Sequence, residues 1–349
     1  MKKALSLFLT VMMMVLLAAC GGGGEKKAAD AKPAEGGGEE QKDAIVIKFS
    51  HVTSADSVKG KAAQKFADLA AEKTGGKVKV EVYPSSQLYG DKEELDALVS
   101  GNVQMIAPSV TKMVKLDPRW QYVDMPFLFK DREHSLKFFQ SDLAKQLLNG
   151  EQLVGNDIMG LAFWENGFKQ FTNNKKPLKA PADFKGLKFR AQAGKVLEGQ
   201  FKALGAGSAT IPFGDTYAAL QQGTVDGQEN TYNNMDTQKY QEVQKYMTIS
   251  NHGRLDYAIF VNKSFWDGMP EDVRTKVEEA LKEATEYEWK LAAEDNDKSY
   301  ENLKNSGKME ITELTDAERA ELEKALQPVY EEFKSVITPE LIDGIKNMK

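Results

Sequence analysis

Short apolar segments alternate with amphipathic segments along the chain from residue 44 onward. Apolar positions at every second residue predict strands, whereas apolar positions spaced three to four residues apart predict helices. The first part of the pattern predicts a strand over 45–49, a helix over 58–72, a strand over 77–83, a helix over 92–100 capped by Asp91, and a strand over 103–107. This order is typical of a parallel α/β unit.

A second unit of the same kind occupies the middle of the chain. A helical segment over 131–148 and an apolar strand over 153–164 lead into it. The pattern then predicts a strand over 168–172, a strand over 187–191, a helix over 195–204, a Gly-rich turn, a helix closed by Gly223, and a short strand over 226–230. Polar residues at the ends of such strands face a crevice, so Arg190 and Asn230 are candidates for a binding site.

A helical pattern of about 34 residues covers 271–304 without Pro or Gly, whereas globular helices usually run 8–20 residues. Its apolar positions recur for about five turns and then thin out, which favours a helix that packs first on one domain and then on another. We therefore predict an α/β protein of two domains. The first contains 44–165 plus about 256–295, and the second contains 166–255 plus about 296–349.

The first 43 residues have a different character. Two lysines precede an apolar run over 4–17, which is the layout of a secretory signal and too short for a permanent membrane helix. The sequence LAAC ending at Cys20 resembles a bacterial lipoprotein box, in which the cysteine is lipidated. We predict a lipoprotein signal peptide over 1–20 and a disordered tether over 21–43. The alternative is an ordinary cleaved signal with an incidental cysteine.

Composition excludes several classes of function. The formal net charge of −6 is spread over 349 residues with no basic block, so we expect no nucleic-acid partner. Three scattered histidines and one cysteine provide no HExxH zinc motif and no intrachain disulfide. Neither a Walker loop nor a GxGxxG motif follows a predicted strand. We therefore expect no metal and no cofactor.

Arg190 has the chemistry needed to hold a carboxylate in a closing cleft. A buried carboxylate must be paired and hydrogen-bonded, because its desolvation is otherwise too costly. A guanidinium can meet both carboxylate oxygens at once, which a lysine cannot do. The alternative is a surface or interdomain ion pair, but the position at a strand end before a polar loop favours a site. Asn230 can donate its amide to the same carboxylate, and its neighbours Tyr232 and Asn233 supply further donors.

Four stretches of the chain resemble the solute-binding subunits of tripartite ATP-independent periplasmic (TRAP) transporters: KGKAAQKFADLAAEKTGGKVKVEVYPSSQLYGD, WENGFKQFTNNKKPLKAPADFKGLKFRAQ, DTYAALQQGTVDGQENTYNN and VNKSFWDGMPEDVR. The resemblance covers essentially 45–349, and the segment FRAQAGKVLEGQF is most similar to the C4-dicarboxylate, or DctP-type, branch. It implies a two-domain periplasmic binding protein of the Venus flytrap type, braced by a long helix. It also implies a protein without enzymatic activity that delivers an organic acid to a membrane permease.

The resemblance also implies roles for individual residues. Arg190 corresponds to the arginine that forms the main salt bridge to the ligand carboxylate. Lys169 stands where many members have a second arginine, and its alternative is a solvated strand lysine. Phe213 resembles the aromatic residue that packs on the ligand's carbon skeleton, and its alternative is a core residue. Further cleft candidates are Gln87, Trp164 and His51.

Two departures from the sequence pattern of the family bear on the identity of the ligand. Relatives with larger sugar-acid ligands carry an acid where this chain has Pro108 and an asparagine near Val52, so a smaller ligand such as malate, succinate or fumarate is favoured. The alternatives are another small carboxylate (a monocarboxylate or a sugar acid), a sensor that uses the same cleft, and an exported hydrolase. We expect a monomer in the periplasm or on the outer face of the cytoplasmic membrane, held there by the lipid anchor alone.

Overall fold

The computed structural model describes residues 44–348. The predicted signal peptide, the tether and Cys20 lie outside the described residues. Among residues 44–348, no helix has both the length and the apolar character needed to cross a membrane.

The described chain forms two sheets connected by helices. The strands are β1 (Ile45–Ser50), β2 (Val78–Tyr83), β3 (Met105–Ile106), β4 (Ile158–Phe168), β5 (Gln170–Asn173), β6 (Lys188–Ala191), β7 (Gly207–Thr210), β8 (Gly227–Asn230), β9 (Tyr246–Ile249), β10 (Arg254–Asn262) and β11 (Glu310–Glu313). The helices are α1 (Val58–Thr74), α2 (Glu94–Val99), α3 (Arg132–Phe139), α4 (Asp142–Leu148), α5 (Glu151–Val154), α6 (Lys195–Ala203), α7 (Thr216–Gln221), α8 (Tyr232–Thr237), α9 (Lys263–Asp267), α10 (Glu271–Asn305), α11 (Asp316–Ile337) and α12 (Pro339–Lys346).

The first sheet has the strand order β2-β1-β3-β10-β4. Strand β1 pairs in parallel with β2 and β3, whereas β10 runs antiparallel to β3 and β4. Helix α1 and the first half of α10 pack on this sheet, and Phe49, Phe66 and Val277 belong to their common buried cluster. This packing fixes the start of α1, next to which several candidate site residues lie.

The second sheet has the order β11-β9-β5-β8-β6-β7. Phe171 of β5, Phe189 of β6 and Phe201 of α6 are fully buried together, and the rings of Phe189 and Phe201 stack with centroids 4.8 Å apart. Successive side chains of a strand point to opposite faces. Arg190, which follows Phe189, is therefore on the face away from this aromatic core.

Helix α10 contacts the layers of both sheets. Val277 and Ala284 in its first half belong to the core of the first sheet, whereas Leu303 near its end packs in a cluster with Met247 of β9. The 35-residue helix thus braces both parts, which confirms the predicted fold class. The domain boundaries given above stay a prediction.

Predictions of local structure were wrong at several places. The segment 131–148 forms two helices, because the side chain of Ser141 accepts the N–H of Ala144 and begins a new one. Asp91 does not cap the following helix, which begins at Glu94, since its carboxylate binds elsewhere. The Gly-rich turn contains the edge strand β7, whose sequence GSAT has no apolar alternation.

The start of α1 is tightly packed. The hydroxyl of Ser57 accepts the N–H of Gly60 at 3.1 Å and caps the helix. A Cβ at position 60 would lie 2.4 Å from the carbonyl oxygen of Ser54, so glycine allows the preceding loop to close on the first turn. Lys59, in this same turn, is 1% exposed.

Candidate functional site

Arg190 lies near the end of β6 and is 1% exposed. Its Nε donates to the carbonyl oxygen of Ile211 at 2.9 Å. Its Nη1 is buried and has no hydrogen-bond partner among residues 44–348. A buried charged donor without an acceptor is costly, so this nitrogen is suited to an anionic ligand.

Asn230 lies on the same face of the second sheet as Arg190. Strand pairing places Arg190 beside Gln228 of β8, and Asn230 follows two residues later. The Oδ1 of Asn230 accepts from Asn234 Nδ2 at 2.8 Å and from Thr231 N at 3.1 Å, which orients the amide. Its Nδ2 is buried and has no partner in the described part of the chain. The sheet thus presents two buried donors, one of them charged.

Asp91 provides a negative charge close to Arg190. Its Oδ2 accepts the N–H of Phe213 at 2.6 Å and lies 3.2 Å from the ammonium of Lys112. Burial raises the pKa of Asp91, but the charges of Lys112 and Arg190 and the hydrogen bond from Phe213 outweigh this effect, and the pKa is lowered overall. The single carboxylate of Asp91 therefore lies close to two cations, Lys112 and Arg190.

Lys59 is a buried cation beside the first sheet. Its Nζ donates to the carbonyl oxygen of Ala107 at 2.8 Å and lies 3.8 Å from the ring centroid of Tyr257. Burial lowers its pKa to about 8, although Glu94, Asp91 and Glu288 act in the opposite direction. The ammonium is therefore largely charged at neutral pH, and the aromatic face stabilises it.

His51 follows β1 and is fully buried. Burial and the charge of Lys59 lower its pKa to about 3, so the imidazole is neutral at physiological pH. Its Nδ1 is 3.3 Å from the hydroxyl of Thr53, and its Nε2 has no hydrogen-bond partner within 44–348. A neutral imidazole nitrogen donates to or accepts from a ligand according to its tautomer.

A series of side chains connects the two sheets at this point. The hydroxyl of Tyr257 on β10 accepts from Asn166 Nδ2 at 2.8 Å and from Asn234 Nδ2 at 3.3 Å. Since Asn234 also holds Asn230, the ring that contacts Lys59 is linked to the donors of the second sheet. These residues form one polar region between the sheets.

Lys169 lies on the other face of the second sheet, in a buried ion cluster. Its Nζ donates to Glu229 Oε1 at 2.8 Å and to Asp124 Oδ1 at 3.1 Å, so the alternative of a solvated lysine is wrong. Burial disfavours the charged lysine, but the two carboxylates outweigh burial and raise its pKa. Glu229 is opposite Phe171 in the strand pairing, on the aromatic face. The ammonium is therefore already held by two carboxylates.

Three further predicted site residues, Trp164, Gln87 and Phe213, lie in different surroundings. Trp164 is fully buried in the core, where its Nε1 donates to Thr285 Oγ1 at 2.9 Å. Gln87 is exposed on the loop after β2. Phe213 is buried, and its backbone N–H is the group that binds Asp91. Of Trp164, Gln87 and Phe213, only Phe213 is tied directly to the charges around Arg190.

Tyr232 and Asn233 begin α8 and hold it in place. The Oδ1 of Asn233 accepts the N–H of Val58 at the start of α1 at 3.3 Å, and its backbone N–H donates to Asn296 Oδ1 at 3.2 Å. The ring of Tyr232 packs on Tyr300 of α10 with centroids 5.1 Å apart. Both residues therefore connect α8 to helices that border the site.

Sequence reasoning did not single out Lys59 or Glu94. A lysine in the first turn of an amphipathic helix is usually solvated, and only its unfavourable position at the positive end of the helix dipole indicates another role. Glu94 is 1% exposed, and neither of its carboxyl oxygens has a partner among the described residues. Within 44–348, no group of three or more metal-ligating side chains occurs.

Comparison with known proteins identifies the family that this chain resembles. The family model "Bacterial extracellular solute-binding protein, family 7" (DctP) matches residues 49–336. The C4-dicarboxylate-binding periplasmic protein DctP of Rhodobacter capsulatus is 50% identical over 305 residues, which cover 87% of this chain and 91% of that protein.

Two solved structures extend the comparison to bound ligands. A TRAP periplasmic solute-binding protein from Shewanella oneidensis with bound succinate has a TM-score of 0.84 and 39% identity, and the match covers 87% of this chain and 98% of that one. A TRAP protein from Pseudomonas aeruginosa with bound L-malate has a TM-score of 0.80 and 41% identity, and the match covers 82% of this chain and 99% of that one. This chain belongs to the DctP family of bacterial extracellular solute-binding proteins.

Proposed function

We propose that this protein captures a small dicarboxylate, such as succinate, malate or fumarate, between its two sheets. The observation that carries the proposal is Arg190, whose buried Nη1 has no partner within the described residues. One ligand carboxylate binds this guanidinium and the free amide nitrogen of Asn230. The names of the relatives support a C4 acid.

Closure of the two parts around the ligand is the proposed mechanism. Contacts between elements of the two sheets enclose the site: Asn233 with the start of α1, and Lys112 with the carbonyl oxygen of Gln192 at 3.0 Å. A ligand that touches donors on both sides has a higher affinity for the closed state and shifts the population towards it. His51 and Phe213 complete the surroundings of the ligand in this proposal.

The proposed cellular role rests on the same resemblance to TRAP solute-binding subunits. We propose an exported protein that is attached to the membrane through a lipid on Cys20 and that delivers its ligand to TRAP permease subunits. The sequence around Cys20 and the resemblance to TRAP solute-binding subunits support this role. Lys169 and Trp164 then act through the fold, since one is held in an ion cluster and the other lies in the core.

A thermal-shift screen of the purified protein tests the proposal. Succinate, malate and fumarate are expected to raise the melting temperature, because a ligand that binds only the folded state stabilises it by mass action. A larger shift with a monocarboxylate or a sugar acid would assign another carboxylate to the site. No shift with any acid, together with hydrolysis of a glycoside, would favour the exported hydrolase. A sensor would bind the acid and still lack an interaction with permease subunits.

A further inference from the structure

We propose that Lys59 binds the second carboxylate of the ligand and so selects dianions over monoanions. The inference rests on the proposed function, in which Arg190 and Asn230 hold the first carboxylate. Lys59 is 1% exposed, and among residues 44–348 its Nζ donates to a backbone carbonyl oxygen and forms no ion pair with a carboxylate. Burying a cation without a counter-ion is costly, so a ligand that supplies one gains affinity.

Three acids lie near Lys59, and none of them forms an ion pair with it among the described residues. Asp91 is engaged by Lys112 and by the N–H of Phe213. Burial and the charge of Asp91 raise the pKa of Glu94 to about 8, and neither of its carboxyl oxygens has a hydrogen-bond partner within residues 44–348. Burial also raises the pKa of Glu288 well above its usual value, and its Oε2 accepts the N–H of Glu165 at 2.9 Å. Lys59 therefore has no direct carboxylate partner in the described part of the chain.

The ammonium of Lys59 has more N–H donors than it has acceptors among the described residues. A lysine carries three N–H donors, and here one binds the carbonyl oxygen of Ala107. The ring of Tyr257 lies beside the ammonium at 3.8 Å and supplies electrostatic attraction without a formal charge. Neither contact removes the need for an anion.

Lys59 and Arg190 border the same polar region from opposite sides. Tyr257, which contacts Lys59, binds Asn234, and Asn234 in turn holds Asn230 beside Arg190. Glu94, with both oxygens buried and without partners in the described chain, adds a carboxyl group to this region. Two separate cations with polar groups between them suit a short acid with a carboxylate at each end.

Calorimetric titration with a matched pair of ligands tests the proposal. Succinamate has the shape of succinate but carries an amide in place of one carboxylate. Wild-type protein is expected to bind succinate at least about 30-fold more tightly than succinamate, as for loss of one member of a buried charge pair. In Lys59→Met this ratio should fall to within a few fold, whereas the matched control Lys65→Met, on the same helix, should retain it.

The outcomes separate this inference from the proposed function. If the wild-type protein binds neither acid, the proposed function itself fails. If it binds succinate tightly and Lys59→Met keeps the wild-type ratio, the role of Lys59 is wrong and the proposed function stands. Lys59→Gln, which keeps a donor for the Ala107 carbonyl, is titrated in parallel, and circular dichroism identifies folded variants. A preserved ratio in either folded variant overturns the proposal.

Discussion

The carboxylate of Asp91 accepts the backbone N–H of Phe213 at 2.6 Å, although the two residues are 122 positions apart in the chain. Asp91 precedes α2, beside the first sheet, and Phe213 follows β7 of the second sheet. The same carboxylate oxygen lies 3.2 Å from Lys112. This one contact therefore joins the two parts of the protein and balances charge beside Arg190.

Substitutions at Asp91 separate these two roles. Asp91→Ala removes the contact between the parts and should weaken succinate binding by about 1.5–3 kcal/mol, the usual value for a hydrogen bond to a charged group. Asp91→Asn keeps an acceptor oxygen but removes a negative charge near the anion, so it should bind succinate at least as tightly as wild type. Calorimetric titration measures both, with the exposed Asp96→Ala as control. Wild-type affinity in Asp91→Ala would show that the contact does not contribute to closure.

The pH dependence of binding should report on Lys59. Burial lowers the pKa of its ammonium to about 8, and a bound carboxylate favours the protonated form. Succinate affinity should therefore be full below about pH 8 and fall as pH rises above it, by at most about tenfold per pH unit. Titrations between about pH 6.5 and 9.5 measure this slope, which should be lost in Lys59→Met. An identical slope in that variant would assign the titration to another group.

The buried pair of Glu229 and Lys169 should contribute to acid stability. Burial acts to raise the pKa of Glu229, but the charge of Lys169 and the hydrogen bond from His252 outweigh it and hold the value at about 2. The folded-state pKa is depressed, so this stability is present above the ordinary value of about 4.5 and is lost as pH falls towards 2. Glu229→Gln should lower the free energy of unfolding near pH 7 by about 3–5 kcal/mol.

Urea unfolding at a series of pH values tests this expectation. The difference between wild type and Glu229→Gln should shrink as pH falls from about 4.5, because the wild-type carboxylate becomes protonated too. Glu133→Gln, in an exposed i,i+4 pair on α3, serves as a control with little effect. A difference that is independent of pH would mean that the ion pair does not carry the stability.

Much of the site could be predicted because it lies where parallel strands end. Arg190 follows the apolar Phe189, and Asn230 ends a short strand that comes after a predicted helix, so the strand–helix alternation alone places both at one edge of a sheet. The long helix was also predictable, since 35 residues without Pro or Gly leave few alternatives. Local patterns of this kind record which residues share a strand or a face.

Other parts of the site depend on contacts that no local pattern records. Lys59 is buried because Gly60 lets the preceding loop close on the helix and because Tyr257, far along the chain, lies beside its ammonium. The partner of Asp91 is likewise set by tertiary packing. For Lys169, the sequence predicts a cation near the site, but the position of Glu229 determines which groups it binds.

The most direct test of carboxylate binding by Arg190 is calorimetric titration of succinate into wild-type protein, Arg190→Ala and Arg274→Ala. Arg274 is a control at the start of α10, where it lies 3.8 Å from Glu278. Arg190→Ala should lose about 2–5 kcal/mol of binding free energy, whereas Arg274→Ala should bind as wild type does. Wild-type affinity in a folded Arg190→Ala variant would contradict the claim that this guanidinium holds the ligand.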